Sequence, residues 1–578
     1  MYTNYIAIYD GLIVAEFRLC RKENIEMSEI ITVNSEKCVG CNACIRSCPA
    51  PEANITKILD DGRSVTTVNP DRCIACGECV RNCLHGARDY IDDTAEVMDA
   101  INKKETLIIL STPSIKTVFP QKWKNILNWF RKQGCMVYDV SFGADICTWA
   151  HVRAIQKGIV ENVITQPCAA IVKYIETYQP SILKNLSPIQ SPILCMAIYI
   201  KRYLRLTNRI AVLSPCVAKK NEFTETMFVD FNVTFRKMME YFDENDIRIL
   251  IDNNDDLAYN FDGDQGQMGA IYPKPGGLRD NLWLHDPDID VINSEGVHKV
   301  YPELDMYAAL ADSKKPKVFD VLSCEFGCNV GAGAGSQRTL FDIMQTMNDV
   351  EKEASGRRKI KGGFFRASED KILKRFDAEL MLEDFVRKYR QFEPSYEPSL
   401  EELEPIFNSI GKYTDADKNF NCHACGYSSC KDMATAIYRG INVPENCIVH
   451  AKSVLRSQHS SITRQNEKIN QLCADVENIA RSMKEISEAT NAADNRKNDV
   501  HDLLNNVIEF CNSTQTMDKE GLTSLVEILE NAATAFDDLN DSVKNATENT
   551  ETVNQTIADI RLIVTDIKAV LQGEKVNN

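Results

Sequence analysis

Long apolar runs are missing from this 578-residue chain. No stretch reaches the roughly 18 consecutive apolar residues that mark a membrane-spanning helix, so no membrane span is expected. An excess of basic charge is missing too. Lysine and arginine number 66 against 83 aspartates and glutamates, for a formal net charge of −17. A protein that grips phosphate backbones needs a basic face, so nucleic acid is not the expected partner. The N-terminal stretch Met1–Asn24 is apolar in its first half, but a basic lead segment and a small-residue cleavage site are both absent. That argues against a secretory signal. Met27, eleven residues ahead of Cys38, reads as an alternative start. Residues 455–573 hold no proline, and their glycines are Gly521 and Gly573. The usual punctuation of loops is therefore gone, and a helical pattern is left.

Cysteine is what the chain has in abundance, at 22 residues, and hydrophobic residues make up 44%. The length allows three or four domains with sizeable cores. In a secreted chain so much cysteine would suggest disulfides. Here it falls in tight CxxC runs, which suit metal held by reduced thiolates and imply a reducing cytoplasm, that of an anaerobe. Residues 38–49 read CVGCNACIRSCP and residues 73–83 read CIACGECVRNC. This is the bacterial CxxCxxCxxxC pattern twice, in which the fourth cysteine of each run serves the other cluster. Cys38, Cys41, Cys44 and Cys83 are assigned to one [4Fe–4S] cluster, and Cys73, Cys76, Cys79 and Cys48 to a second. Structural zinc is the alternative. The second run ends in Leu84-His85 where a proline is usual.

Four regions follow from composition and periodicity. Residues 30–92 form an α+β two-cluster, ferredoxin-like domain. Residues 104–390 alternate apolar strands (Leu107–Thr112, Arg209–Pro215, Lys317–Ser323) with helical stretches, which reads as α/β. Residues 398–452 are a small helical unit with four cysteines, and residues 455–573 a helical tail. In the tail, a 3–4 spaced seam runs from Leu522 to Leu571 through Leu525, Leu529, Ala532, Phe536, Leu539, Val543, Ala546, Thr550, Val553, Ile557, Ile560, Val564 and Ile567. Such a seam is a coiled-coil signal. An earlier seam (Ile469, Leu472, Val476, Ile479, Met483, Ile486) is one residue out of register, with the break near residues 512–521. A helical hairpin and a dimeric coiled coil both fit.

Four further cysteines lie far apart: Cys168 in TQPCAA, Cys216 in SPCVAKKNE, and Cys324 and Cys328 in VLSCEFGCNVGAG. Each opens or follows an apolar segment, as ligands at strand ends would, and together they suffice for one more [4Fe–4S] cluster. In this order, behind a two-cluster ferredoxin domain, the three segments resemble the signature motifs of the [FeFe]-hydrogenase family. The resemblance covers residues 30–390. It implies an H-cluster, a [4Fe–4S] cubane joined through one cysteine sulfur to a two-iron unit carrying CO, cyanide and azadithiolate. By position, Cys168, Cys216, Cys324 and Cys328 would hold the cubane, with Cys328 the bridge. Lys219 would hydrogen-bond one cyanide, and Pro113 and Ser114 would contact the other. An anionic ligand in a buried pocket needs such partners.

The departures from the family pattern concern protons. Pro167 stands where the family has a proton-passing cysteine, and proline has neither a side-chain donor nor an N–H. Two relay glutamates fall on His151 and Ala154. Usual methionines are replaced by Leu322 and Ser214, and a glutamine by Ile193, while the relay serine survives as Ser187. Positioned acid–base groups are worth about 10²–10⁴ in rate, so slow turnover with hydrogen binding intact is expected. This is the pattern of the family's sensory branch. Residues 422–447 contain CxxCGxxxC and a distant cysteine, resembling a small helical [4Fe–4S] domain with ligands Cys422, Cys425, Cys430 and Cys447; zinc is again the alternative. No PAS-like segment follows, which points to the subgroup without one. Cys135 and Cys147 are expected to pack as small apolar residues. Cys195 is a candidate substitute in the proton path, and Cys20, Cys473 and Cys511 are assigned no chemistry. The expected partners are H₂, protons, a redox protein such as ferredoxin, and a signalling protein or second copy at the tail. An ordinary catalytic hydrogenase and a non-enzymatic iron–sulfur relative without the two-iron unit are the rival readings.

Overall fold

The computed structural model describes residues 29–50, 52–249, 259–335, 338–362, 369–513 and 519–571. Cys20 and Met27 lie outside them, as do the side chains of Cys511, Leu522, Leu525, Ala546, Val564, Ile567 and Leu571. The chain divides into two compact units, one ending at His450 and the other starting at Ala451. No described helix is long and apolar enough to cross a membrane.

The first unit opens with β1 (Ile31–Val33), β2 (Asn54–Ile58), β3 (Ser64–Val68) and β4 (Arg88–Tyr90). β1 pairs antiparallel with β4, and β2 with β3. Each cysteine run turns through a left-handed residue, Asn42 (φ 60°) or Gly77 (φ 77°), into a one-turn helix, Ala43–Arg46 or Glu78–Arg81. These left-handed turns wrap three cysteines around one point, which an extended or fully helical run could not do.

Eight strands follow: β5 (Ile108–Ser111), β6 (Met136–Asp139), β7 (Val163–Ile164), β8 (Ile210–Ser214), β9 (Phe231–Thr234), β10 (Val291–Glu295), β11 (Val318–Leu322) and β12 (Glu325–Cys328). All but β12 build two parallel sheets, ordered β6-β5-β8-β9 and β10-β11-β7. Every residue of β5, β8, β9 and β11 is buried, as expected of parallel strands covered on both faces. Parallel neighbours need crossovers, and helices supply them: Trp123–Lys132 between β5 and β6, Lys219–Thr226 between β8 and β9, and Val297–Ala309 between β10 and β11. The α/β expectation agrees with this architecture. The long helix Val140–Gln156 packs against Pro192–Ile198 through Phe142, Ile146, Trp149 and Leu194, all buried.

After these sheets the helices Leu400–Ser409 and Cys430–Tyr438 close a small core of Leu403, Phe407, Met433 and Ala434. Ser399 and Glu402 form a capping box at the first of them, satisfying two otherwise unpaired backbone N–H groups. The second unit is built from the helices Ile448–Ser513 and Lys519–Leu571. Arg496 donates to the Asp538 carbonyl and the Ser542 hydroxyl, which joins the two helices. Ala532 and Val553 of the expected seam are buried, whereas Leu529, Phe536 and Val543 stay about half exposed.

Candidate active site

Ligand placement follows from the strands. Cys168 caps the helix Ala169–Tyr178 just beyond β7, Cys216 lies two residues past β8, Cys324 two past β11, and Cys328 ends β12. Cys168, Cys216 and Cys324 therefore follow the carboxyl ends of parallel strands, where crevices open in α/β sheets, and β12 carries Cys328. They share one neighbourhood. Burial pushes the Cys324 thiol well up, and nearby Cys168, Cys216 and Cys328 push it further. Burial and Cys168 likewise raise Cys216 to about 11, although Lys219 opposes them. Cys328 is pushed up to about 12 by burial, Cys168 and Cys216. Confined together without water, these groups stay neutral thiols unless a metal centre takes the place of their protons. Four cysteine sulfurs brought into one neighbourhood are the donor set that an iron–sulfur cubane takes.

Beside this quartet is a cavity of about 70 Å³. Its walls bring together all five remaining predicted residues, Pro113, Ser114, Pro167, Lys219 and Leu322, with Cys216, Cys328, Ile193 and Ser214. The segment Gly269–Pro273 completes the wall; nothing in its sequence had marked it. Lys219 is buried, and its ammonium donates to the Pro167 carbonyl at 3.1 Å and to Glu222 at 2.6 Å. Glu222 in turn accepts from Ser191 (3.0 Å) and Arg387 (3.3 Å). The Thr112 hydroxyl donates to the Leu213 carbonyl at 2.9 Å and lies 3.0 Å from the Ser114 hydroxyl. An anion in the cavity would therefore meet one fixed ammonium and one fixed hydroxyl, with mostly apolar walls elsewhere.

The predicted proton residues lie behind the cavity. His151 Nε2 is 2.8 Å from the Ser187 hydroxyl, and its Nδ1 donates to the Cys147 carbonyl at 2.8 Å. Ala154 is buried in apolar surroundings. Cys135 packs as expected in an apolar core. Cys147 is fully buried but not merely apolar: its thiol donates to the Gln190 carbonyl at 3.4 Å, as does Cys195 at 3.3 Å. Cys195 is not among the residues lining the cavity.

The ferredoxin-like quartets assemble in part. Cys48 is raised by burial and by Cys79 and Cys73, which places it with the second run, as the crossed pattern requires. Cys44 is raised by burial, against the pull of Arg88, with Cys38 and Cys41 adding to the rise. Cys83 accepts from the Ala87 N–H at 3.3 Å. Cys422, Cys425, Cys430 and Cys447 line one small cavity.

Comparison with known proteins agrees with these regions. Residues 105–332 match the family model described as "Iron only hydrogenase large subunit, C-terminal domain". Residues 30–84 match a "4Fe-4S dicluster domain", and residues 419–449 an Fe-S cluster model. No curated protein matches the chain. Solved structures similar to it include a glutamate-to-alanine variant of the [FeFe]-hydrogenase from Chlamydomonas reinhardtii, at 14% identity over 51% of this chain and 98% of that one, TM-score 0.37. The apo form of a cysteine-to-histidine variant from the same organism gives 14%, 52%, 99% and 0.38. An [FeFe]-hydrogenase structure concerned with oxygen damage to the two-iron subcluster gives 13%, 52%, 99% and 0.39.

Proposed function

We propose that this chain is a cytoplasmic [FeFe]-hydrogenase-like protein that binds H₂, interconverts it slowly with protons and electrons, and reports hydrogen or redox state. The observation that carries the reading is Pro167 on the wall of a cavity that otherwise keeps Cys328, Lys219, Ser114 and Pro113 together. Metal-holding groups are retained while the group that would pass protons is replaced.

The proposed cofactors are four [4Fe–4S] clusters on the sixteen assigned cysteines, one of them joined at Cys328 to a two-iron unit with CO, cyanide and azadithiolate. When bound, that unit supplies the open metal position at which H₂ reacts. The chain's own residues do the rest. Lys219 and Ser114 would hold the unit's anionic ligands through charge-assisted and neutral hydrogen bonds. Pro113, Ile193 and Leu322 keep the cavity apolar. Pro167 offers its carbonyl to Lys219 but no proton to substrate. His151 and Ser187 retain one hydrogen bond of a relay that stops at Ala154. The sensory subgroup without a PAS domain is part of this proposal. The half-exposed seam of the tail suits a second copy of this chain or a signalling partner, and a ferredoxin suits the cluster domain as electron carrier.

The test is infrared spectroscopy of matured protein together with H₂ turnover using a redox dye. CO and cyanide bands that shift under H₂, with turnover orders of magnitude below that of a fully equipped family member, are expected. Fast turnover would instead favour an ordinary catalytic hydrogenase. Missing CO and cyanide bands would favour the non-enzymatic relative.

A further inference from the structure

Two cysteine runs nearly 400 residues apart meet in space. Asn42 follows Cys41 and Asn446 precedes Cys447; the Asn42 side-chain amide donates to the Asn446 side chain at 2.6 Å and to the carbonyl of Ala424, next to Cys425, at 3.5 Å. Ile45 follows Cys44 and is buried against the same small core that holds Cys425, Cys430 and Cys447. Gly426 follows Cys425 with φ +96°, and a Cβ there would lie 2.8 Å from the Ile45 Cβ. No side chain fits between the two loops. The contact is clamped further out. The Thr56 N–H of β2 donates to the Ile441 carbonyl at 2.9 Å, and Arg439 pairs with Glu52 at 3.0 Å.

From these contacts we infer that the helical module of Cys422, Cys425, Cys430 and Cys447 is the outer terminal of the electron line, exchanging electrons directly with the cluster of Cys38, Cys41 and Cys44. This deepens the function proposed above and rests on its assignment of clusters to the cysteine quartets. Inward, the remaining cysteines lie next to one another in turn. Cys48 stands beside Cys73 and Cys79. Tyr301, buried, has Cys76 of the second run and Cys168 and Cys324 of the central quartet among its neighbours. Outward, Cys422 and Cys41 are the exposed cysteines of their sites. Electron tunnelling weakens exponentially with separation and more slowly through packed atoms than across a gap. Two ligand loops joined by a hydrogen bond and an apolar contact are thus suited to it, whereas a purely structural module would not need its ligand loops pressed against another cluster's. The step is a one-electron exchange. A low-potential one-electron donor reduces the module cluster, which returns to its oxidised state as its neighbour is reduced. No bond forms or breaks and no proton moves.

The experiment uses the full chain produced without the two-iron unit, so hydrogen chemistry plays no part, and dithionite as the probe reductant. Paramagnetic resonance of the reduced native chain should show magnetic interaction between the module cluster and the Cys38 cluster. Cys430→Ala or Cys447→Ala should remove one cubane's worth of iron and, with it, that splitting and the fast relaxation of the remaining signal. Asn42→Ala and Gly426→Val keep every ligand, so iron content should hold while the interaction weakens. If the module binds zinc, or if the native spectrum is the plain sum of the variant's spectrum and an isolated cluster, the inference is overturned. A result of either kind is independent of whether matured protein responds to H₂.

Discussion

Removing the carboxylate of Glu222 should destabilise the chain by about 3 kcal/mol, the lower end of the 3–5 kcal/mol typical of breaking a buried ion pair. Its side chain is 1% exposed and faces two cations, Lys219 at 7% and Arg387 at 5%. Glu222→Ala leaves both charged and out of water, which sets the scale. Two fallback contacts place the figure at the low end. Lys219 keeps the Pro167 carbonyl at 3.1 Å, and Arg387 keeps Glu225 at 3.8 Å. Glu222→Gln retains an acceptor for Ser191 and one cation but loses the charge assistance. Charged hydrogen bonds are worth roughly twice neutral ones, so that variant should lose about 1–2 kcal/mol. Adding Lys219→Met to Glu222→Ala removes one stranded charge, so the double change should cost at least 1 kcal/mol less than the sum of the single changes. The assay is anaerobic urea unfolding of the full chain followed by tryptophan fluorescence and cluster absorbance, with shifts read at the midpoint. A Glu222→Ala change below about 0.5 kcal/mol would refute the reasoning. It would mean that desolvation already cancels the attraction and that backbone contacts alone hold Lys219.

Two further outcomes are expected. Pro167→Cys alone should restore little H₂ turnover, because the thiol has no onward acceptor at Ala154; together with His151→Glu and Ala154→Glu it should gain up to about 10²–10⁴, more than the single changes combined in log rate. Dye-coupled turnover of the matured variants checks this, and equal gains from the single thiol would contradict it. Deleting residues 455–573 should leave iron content and infrared bands unchanged while turning a dimer into a monomer in sedimentation. The same oligomeric state before and after deletion would argue against pairing of the tails of two chains, and lost cluster assembly would argue against a signalling role for the tail.

The cysteine runs were readable because iron ligation fixes spacing within a few residues, and a local turn such as that at Asn42 or Gly77 then does the folding. The α/β centre was readable because strands covered on both faces, such as Ile108–Ser111 and Ile210–Ser214, have to be apolar throughout. The partners of Lys219 were less accessible. Glu222 lies three residues on and could have been found as a helical pair, since such spacing places side chains together. Arg387 lies 165 residues from Glu222, and no local pattern signals that it returns to it. The contact of His151 with Ser187, 36 residues on, at 2.8 Å is likewise invisible to any local pattern. Cys147 was read as apolar filler because a thiol's burial is visible in composition while its neighbours are not. The segment Gly269–Pro273 carries no motif; it is brought to the cavity by tertiary packing alone.

The inner seam between the cluster domain and the sheets has a kinetic consequence. Gly77, with φ +77°, lies where a Cβ would come within 2.3 Å of the Ala332 Cβ and 3.8 Å of Val217. Ala332 follows Cys328 by four residues and Val217 directly follows Cys216. The second cluster loop is thus wedged against the backbone that carries two ligands of the central quartet. Nothing there can open or close during turnover without breaking that packing. In the proposed function, passage of charge across the seam would then be set by driving force and fixed geometry, not by a docking encounter that must recur in each cycle. Thickening the solvent with sucrose or glycerol should slow the arrival of an external carrier and leave this inner hop untouched.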